Sequence, residues 1–313
     1  MSAPTRHFKA ERFDFWSFFF SGLTGLATLF ILGILAVILL NILINGWSAI
    51  SWHFVSTIPK KDFFDAETTG VLPMIVGTTI RVLVMTIFVI PIGVITAIYL
   101  TEYASNISIT TRVIRAAVNN LAGVPSIVFG LFGLGFFINF VGKNLDALLH
   151  NPSAVWGQPS LIWAALTLAV MTVPVVIVAT EESLKAIPPG LREASLALGA
   201  TKLETILRIV LPQALPGILT GGILAVSRAA GEVAPILFTG VAYYMASLPG
   251  HLTDQFMDLG YHVFVLSTQS PNIEQTRPIL YATVLVLLML TFALNIVAII
   301  IRARVRKKLR ALG

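Results

Sequence analysis

An all-α, polytopic membrane protein with six transmembrane helices and a cytoplasmic helical segment between helices 4 and 5 is the fold predicted, on three observations. The 313-residue chain is 56% hydrophobic and only 12% charged, with a mean hydropathy of +0.87, more apolar than soluble globules are. Crossing the hydrocarbon core takes on the order of 20 apolar residues per helix, and six stretches reach that length. One charged amphipathic segment, Pro188 to Pro212, separates the fourth stretch from the fifth.

The first span, Phe18–Ile44, follows a basic N-terminus, is too long for a signal-peptide core and lacks a small-x-small cleavage site, so it is expected to stay as an anchor. The others are Leu72–Leu100, Ile114–Val141, Leu161–Thr180, Ile206–Ala230 and Ile279–Ile301. Val233–Leu248 is a shorter apolar run that begins VAP and carries Tyr243 and Tyr244; it reads as a re-entrant or interfacial piece. Pro91, Pro125, Pro174 and Pro235 fall in or beside these runs, where each removes a backbone hydrogen bond and favours a kink. Three regions result: 1–70, a tail with the first helix and an external loop; 71–302, helices 2–6; and 303–313, a basic tail.

Charge placement sets the expected orientation. With both termini inside, fifteen bases fall on the cytoplasmic side: Arg6, Lys9, Arg12, Arg112, Arg115, Lys185, Arg192, Lys202, Arg208 and the six between Arg302 and Arg310. Four fall outside: Lys60, Lys61, Lys143 and Arg277. That asymmetry follows the positive-inside rule, so the basic composition is a topology signal and not a nucleic-acid footprint.

Other chemistry is absent from the sequence. With no cysteine there is neither a disulfide nor a thiolate metal site. The Gly-Lys pair Gly142-Lys143 lacks the earlier glycine of a phosphate-binding loop, so the chain is not expected to be an ATPase. The five histidines are scattered through tails and loops, and no metal or catalytic constellation is expected.

Within Pro188 to Pro212, Leu191 to Leu198 reads as a short helix, Gly199 suits a left-handed cap, and a second helix runs towards Leu211. Ala194, Ser195 and Ala197 keep the first helix slim enough for close docking. Glu193-Ala194-Ser195, then Gly199, Ile209, Leu211 and Pro212, resemble the EAA motif in permease subunits of bacterial ATP-binding-cassette (ABC) importers, with Ser195 in place of the second alanine. The resemblance implies a coupling helix seated in a groove of an ATPase subunit. A plain amphipathic surface helix is the alternative.

Charges inside a membrane helix call for an explanation. Arg228 and Glu232 lie four residues apart at the end of the fifth span, within reach on one helical face, and Gly217 and Gly221 share nearly the same stripe. A guanidinium restores part of the solvation an oxyanion loses in low dielectric, with Glu232 its partner when the path is empty. A permanent salt bridge that fixes helix packing fits the same two residues. Arg81, after Thr78 and Thr79, reads as a side chain snorkelling to the interface.

The run SRAAGEVAPILFTG is similar to the signature of the permease A subunit of the phosphate-specific (Pst) ABC importers, as are LTEYA at Leu100–Ala104 and LAGVPSIVFGLFGLG at Leu121–Gly135. This family has a type I importer core. Val233 stands where threonine is expected, and Arg81 has no counterpart in the family pattern. The resemblance implies that Arg228 and Glu232 line a phosphate pathway shared with a second, C-type permease. It also implies a duplicated ATPase and an external phosphate-binding protein, with no cofactor on this chain and ATP-Mg used by the ATPase. A permease for phosphonate, molybdate or sulfate, a proton-coupled secondary carrier using Glu232, and a non-transporting scaffold are the rival readings.

Overall fold

The computed structural model describes residues 15–59, 64, 69–105, 107–151 and 153–310. Arg6, Lys9, Arg12, Lys60 and Lys61 lie outside the described residues, as does the side chain of Arg310. In chain order the helices are α1 (Phe15–Trp47), α2 (Trp52–Ser56), α3 (Leu72–Tyr103), α4 (Ile109–Leu121) and α5 (Ser126–Leu148), followed by α6 (Leu161–Lys185), α7 (Pro189–Ala197), α8 (Lys202–Gly231), α9 (Leu259–Thr268) and α10 (Ile273–Arg310). Six of them, α1, α3, α5, α6, α8 and α10, are long and apolar enough to cross a membrane.

The centre of the bundle is α6, apolar on every side and buried along most of its length between α3 and α8. Lipid tails are as apolar as leucine, so membrane helices associate where their backbones approach closely and pack well. Glycines supply that approach: Gly217 and Gly221 of α8 lie against Ser183 and Ala179 of α6, and Gly93 of α3 against Val176. Further out, α10 packs on α8, and α1 packs on α10 with Gly46 against the backbone of Tyr281. Gly46 is the one buried residue of α1; the rest of that helix presents apolar side chains outward, as a lipid-facing span does. Trp16 and Trp47 mark its ends, about 46 Å apart at the helical rise, close to the thickness of a bilayer with its headgroups.

Two boundaries differ from the sequence reading, those of the third span and of the last. The third span begins at Ser126 and not Ile114, because Ile109–Leu121 is a separate amphipathic helix carrying Arg112, Arg115, Asn119 and Asn120. Pro125 is the reason for the break: it disfavours helical backbone at Val124 and withholds its own donor. Val233–Leu248, the short run expected to be re-entrant or interfacial, is irregular apart from a 3₁₀ turn at Ile236–Phe238, with Val241 bridging Phe256. The last helix continues through Arg310, so most of the basic tail extends the final span.

α8 runs unbroken through Pro212. Its segment Ile206–Val210 is a π-helical turn in which Leu211 N donates to Ile206 O. That inserted residue falls directly before the proline, whose ring would crowd the carbonyl four positions back in a regular helix.

A Cβ at Gly221 would stand 2.7 Å from Ala179 Cβ. Gly221→Val is therefore expected to destabilise the detergent-solubilised protein by about 1–3 kcal/mol through overpacking, read as a lowered midpoint of thermal unfolding. Gly25→Ala, in the open on α1, should leave that midpoint unchanged or slightly raised.

Candidate functional site

The two candidate regions stand at opposite ends of α8. At its start, α7 ends as the glycine pattern requires: Gly199 has φ +86, the one glycine with positive φ among the described residues. There a Cβ is disfavoured and glycine is not. Leu198 N, Gly199 N and Ala200 N donate back to Ala194 O, Leu196 O and Ser195 O, which closes the end of α7. The chain re-enters helix at once through a capping box, with Glu204 N donating to Thr201 Oγ1 at 3.3 Å and Thr201 N to Glu204 Oε2 at 2.9 Å.

Ser195 lies 2.9 Å, hydroxyl to hydroxyl, from Thr205, joining the two arms of the hairpin. The exchange of alanine for serine thus adds a tie. Glu193 and Ala194 are exposed, and so are Leu191, Leu196 and Leu198, the last at 90%. An apolar ridge with one carboxylate projects from this end of the bundle. Ile209, Leu211 and Pro212 lie inward of it, half-buried in the root of α8.

Arg192 anchors that ridge. Its Nε and Nη2 donate to Glu102 Oε1 at 3.1 and 2.8 Å, Nη1 to Ile187 O at 2.9 Å and Nη2 to Leu184 O at 2.8 Å. One guanidinium therefore joins α7 to the π turn ending α3 and to the last carbonyls of α6, where a cation also complements the helix dipole. Beside it, Glu181 of α6 accepts from Arg115 of α4 at 2.7 Å and from Lys185 at 2.9 Å, and Arg115 reaches Leu100 O at 2.9 Å. Sequence reasoning gave Glu102, Glu181 and Arg192 no role. The available signal was a carboxylate at the end of each of two spans, facing a loop rich in bases.

At the other end, Arg228 Nε and Glu232 Oε1 are 3.3 Å apart, joined by that single contact. Helix α8 stops between them: Glu232 is its cap, with extended backbone. The side chains are 44% and 24% exposed, so the charged face is not turned into this chain's interior. The neighbouring glycines instead press α8 onto α6 and leave Leu224 and Arg228 on the free side. One turn before Arg228, a cavity of about 320 Å³ opens between α4, α6 and α8, lined by Asn119, Ala122, Val178, Glu182 and Leu224 among others.

Arg81 corrects the snorkelling expectation. Helix α3 begins at Leu72, which puts Arg81 about 13 Å along it, and its side chain is 0% exposed. Arg81 Nη2 is 2.8 Å from Asp258 Oδ2, and Nη1 donates to Ala229 O at 3.0 Å. Sequence reasoning passed over Asp258; the signal it held was an aspartate just before the apolar run of α9, a helix cap. The two membrane arginines thus differ in kind: Arg81 is enclosed and bonded at both terminal nitrogens, and Arg228 is open.

Residues 89–311 match the family model described as "Binding-protein-dependent transport system inner membrane component". A probable ABC transporter permease protein, YqgI of Bacillus subtilis, is 35% identical over 219 residues, covering 70% of this chain and 68% of that protein. The phosphate transport system permease protein PstA of Pasteurella multocida is 34% identical over 227 residues, covering 72% and 74%. The fold is similar to that of a solved bacterial ABC transporter involved in the import of alginate, with a TM-score of 0.63 at 14% identity over 92% of this chain and 98% of that one. Six spans, a hairpin projecting before the fifth and these matches together mean that the chain belongs to the binding-protein-dependent transport system inner membrane component family, as a multi-pass inner-membrane permease of an ABC importer.

Proposed function

We propose that this chain is an A-type permease subunit which, with a second, C-type permease, forms the pathway for inorganic phosphate in an ATP-driven importer. The observation that carries the reading is Arg228: a membrane-helix guanidinium, 44% exposed and held by one 3.3 Å contact to Glu232. A tetrahedral oxyanion can take two of its donors in a planar fork. Glu232 and the anion compete for one cation, so the site stays compensated when empty and releases what it binds. That relatives such as the P. multocida protein are named phosphate permeases supports phosphate as the cargo. The same pair serves phosphonate, molybdate or sulfate equally well, and selection among them falls to the external binding protein.

The open side of α8 and the cavity beside Leu224 form half of a path, and the second permease supplies the other half. In the proposed orientation both termini and α7 are cytoplasmic, following the distribution of bases. The α7 ridge, with Glu193, Ala194 and Leu198 exposed and Ser195 and Gly199 shaping it, docks in a groove of an ATPase subunit that holds ATP-Mg; this chain binds neither nucleotide nor metal. Closure of the ATPase dimer moves α7, and Arg192 passes the motion to α3 and α6, while α8 carries it from Ile209, Leu211 and Pro212 to Arg228.

In vesicles containing the complete transporter and its binding protein, Arg228→Gln should lower phosphate uptake about 10- to 100-fold, the equivalent of a lost charged hydrogen bond of about 1.5–3 kcal/mol, with the complex still assembled. Wild-type uptake by that variant would favour a purely structural pair, and uptake by the native complex on a proton gradient without ATP would favour a secondary carrier. A cysteine replacing Leu198 should crosslink to the ATPase subunit; failure there and at Ala194 would remove the docking role. Exchanging Glu102→Arg or Arg192→Glu singly is expected to reduce uptake per ATP hydrolysed several-fold, with partial recovery when the two are combined, as paired charges do in double-mutant cycles.

A further inference from the structure

Arg81 is the largest fully buried side chain in the chain, and what surrounds it is a junction between segments far apart in sequence. From α8 come the carbonyls of Ala229, 3.0 Å from Nη1, and Ala230, 3.4 Å from Nη2. These are the last turn of α8, between Arg228 and Glu232, where the carbonyls carry the negative end of the helix dipole; Ala229 O also accepts from Glu232 N at 3.3 Å. From the other side comes Asp258, whose Oδ2 accepts from Arg81 and from Thr78 Oγ1 at 2.9 Å. Its Oδ1 accepts from Gly260 N and Tyr261 N at 2.9 and 3.2 Å, capping α9. Leu259 N donates to Thr78 Oγ1 at 3.0 Å. A single ion pair thus closes the end of α8 and the start of α9 onto α3. Gly260 lies tightly against Val233, the residue after Glu232, so the chain is held between Arg228 and Glu232 and again just after Glu232.

We infer that Arg81 is a positioning residue for the anion path: it fixes the last turn of α8 so that the Arg228 guanidinium and the Glu232 carboxylate keep the spacing at which cargo and carboxylate exchange. This rests on the reading of Arg228 as the anion's contact. Arg81 does not touch the cargo, being wholly enclosed. Its role needs a guanidinium, because two carbonyls on one side and a carboxylate on the other require a planar fork of donors that an ammonium does not present. A misplacement of about 1 Å at a reacting or binding group is enough to cost on the order of 10²-fold in rate.

The test uses the whole transporter with its binding protein and three variants. Arg81→Met leaves the buried Asp258 carboxylate without its counter-charge; the combined Arg81→Met and Asp258→Asn variant removes both charges while keeping a cap for α9; Arg81→Lys keeps the charge alone. Two quantities are read on assembled complexes: phosphate moved per ATP hydrolysed, and hydrogen exchange of the peptide spanning residues 226–234. The combined variant should assemble, hydrolyse ATP in response to the loaded binding protein, move phosphate at least about tenfold less efficiently per ATP, and exchange faster in that peptide. The lysine variant should fall between it and the native complex. Native efficiency and native exchange in the combined variant would overturn the inference, whatever Arg81→Met alone does to folding. Loss of ATP hydrolysis and transport in equal proportion, with exchange faster throughout the bundle, would also overturn it in favour of general stabilisation. Normal transport by Arg228→Gln would instead remove the reading beneath it, and the exchange measurement would still decide whether Arg81 holds the end of α8.

Discussion

Hydrocarbon offers no hydrogen bond and almost no solvation, so every charge and every free backbone group placed in it must be answered from within the protein. The architecture around α6 follows from that constraint. Apolar side chains gain nothing by leaving lipid for one another, so α3, α6 and α8 are joined through close backbone approach at glycines and through a few buried, hydrogen-bonded polar groups. Arg81 and Asp258 are the extreme case: a buried pair whose donors and acceptors are largely supplied by two helix ends and one threonine. Arg228, paired with Glu232 by one contact and 44% exposed, is left more open within the single chain, and the proposed function has a partner permease and the cargo complete it.

The polar groups divide accordingly. At the α7 end, Arg192, Arg115 and Lys185 face Glu102 and Glu181 in short contacts, Arg192 and Arg115 reaching other helices and Lys185 its own. These ties make α3, α4, α6 and α7 one mechanical unit at the place where a partner would push. At the far end Arg228 and Glu232 share one 3.3 Å contact, and in the proposed function that looseness suits a group that must bind cargo and release it. A buried ion pair is weak evidence for stability, but its geometry separates the two uses: several short contacts at Arg81, one long contact at Arg228.

Much of this was legible in the sequence. Span length and apolarity located four of six membrane helices to within a few residues, because hydrophobic length is a local property; the last helix runs past its apolar stretch at both ends. The turn at Gly199 and the spacing of Arg228 and Glu232 were readable for the same reason: a left-handed cap and an i,i+4 pair are decided within one or two turns. What could not be read was long-range. Arg81 and Asp258 meet across most of the chain, and Glu102 reaches Arg192 over ninety positions; no periodicity reports such partners, so Arg81 looked like a residue without company. The third span was misplaced because apolar residues on both sides of Pro125 made one continuous run, though the arginines of α4 argued for a separate surface helix. The outward side of Arg228 was not readable from the glycine stripe, which marks where two helices touch; the arginine sits beside that stripe on the side facing away from α6.

The unbroken course of α8 has a mechanical consequence. From Ile209 to Arg228 the helix covers nineteen residues, about 28 Å at the helical rise. A rigid arm of that length pivoting at its root turns a rotation of about 10° into a displacement of about 5 Å at the tip, close to one helical turn. If α7 docks on an ATPase as proposed, small angular changes there would shift the Arg228 guanidinium by about one helical turn, and that leverage would be lost if the arm bent in the middle. In this helix the wide turn lies at Ile206–Val210, beside the pivot and not along the arm.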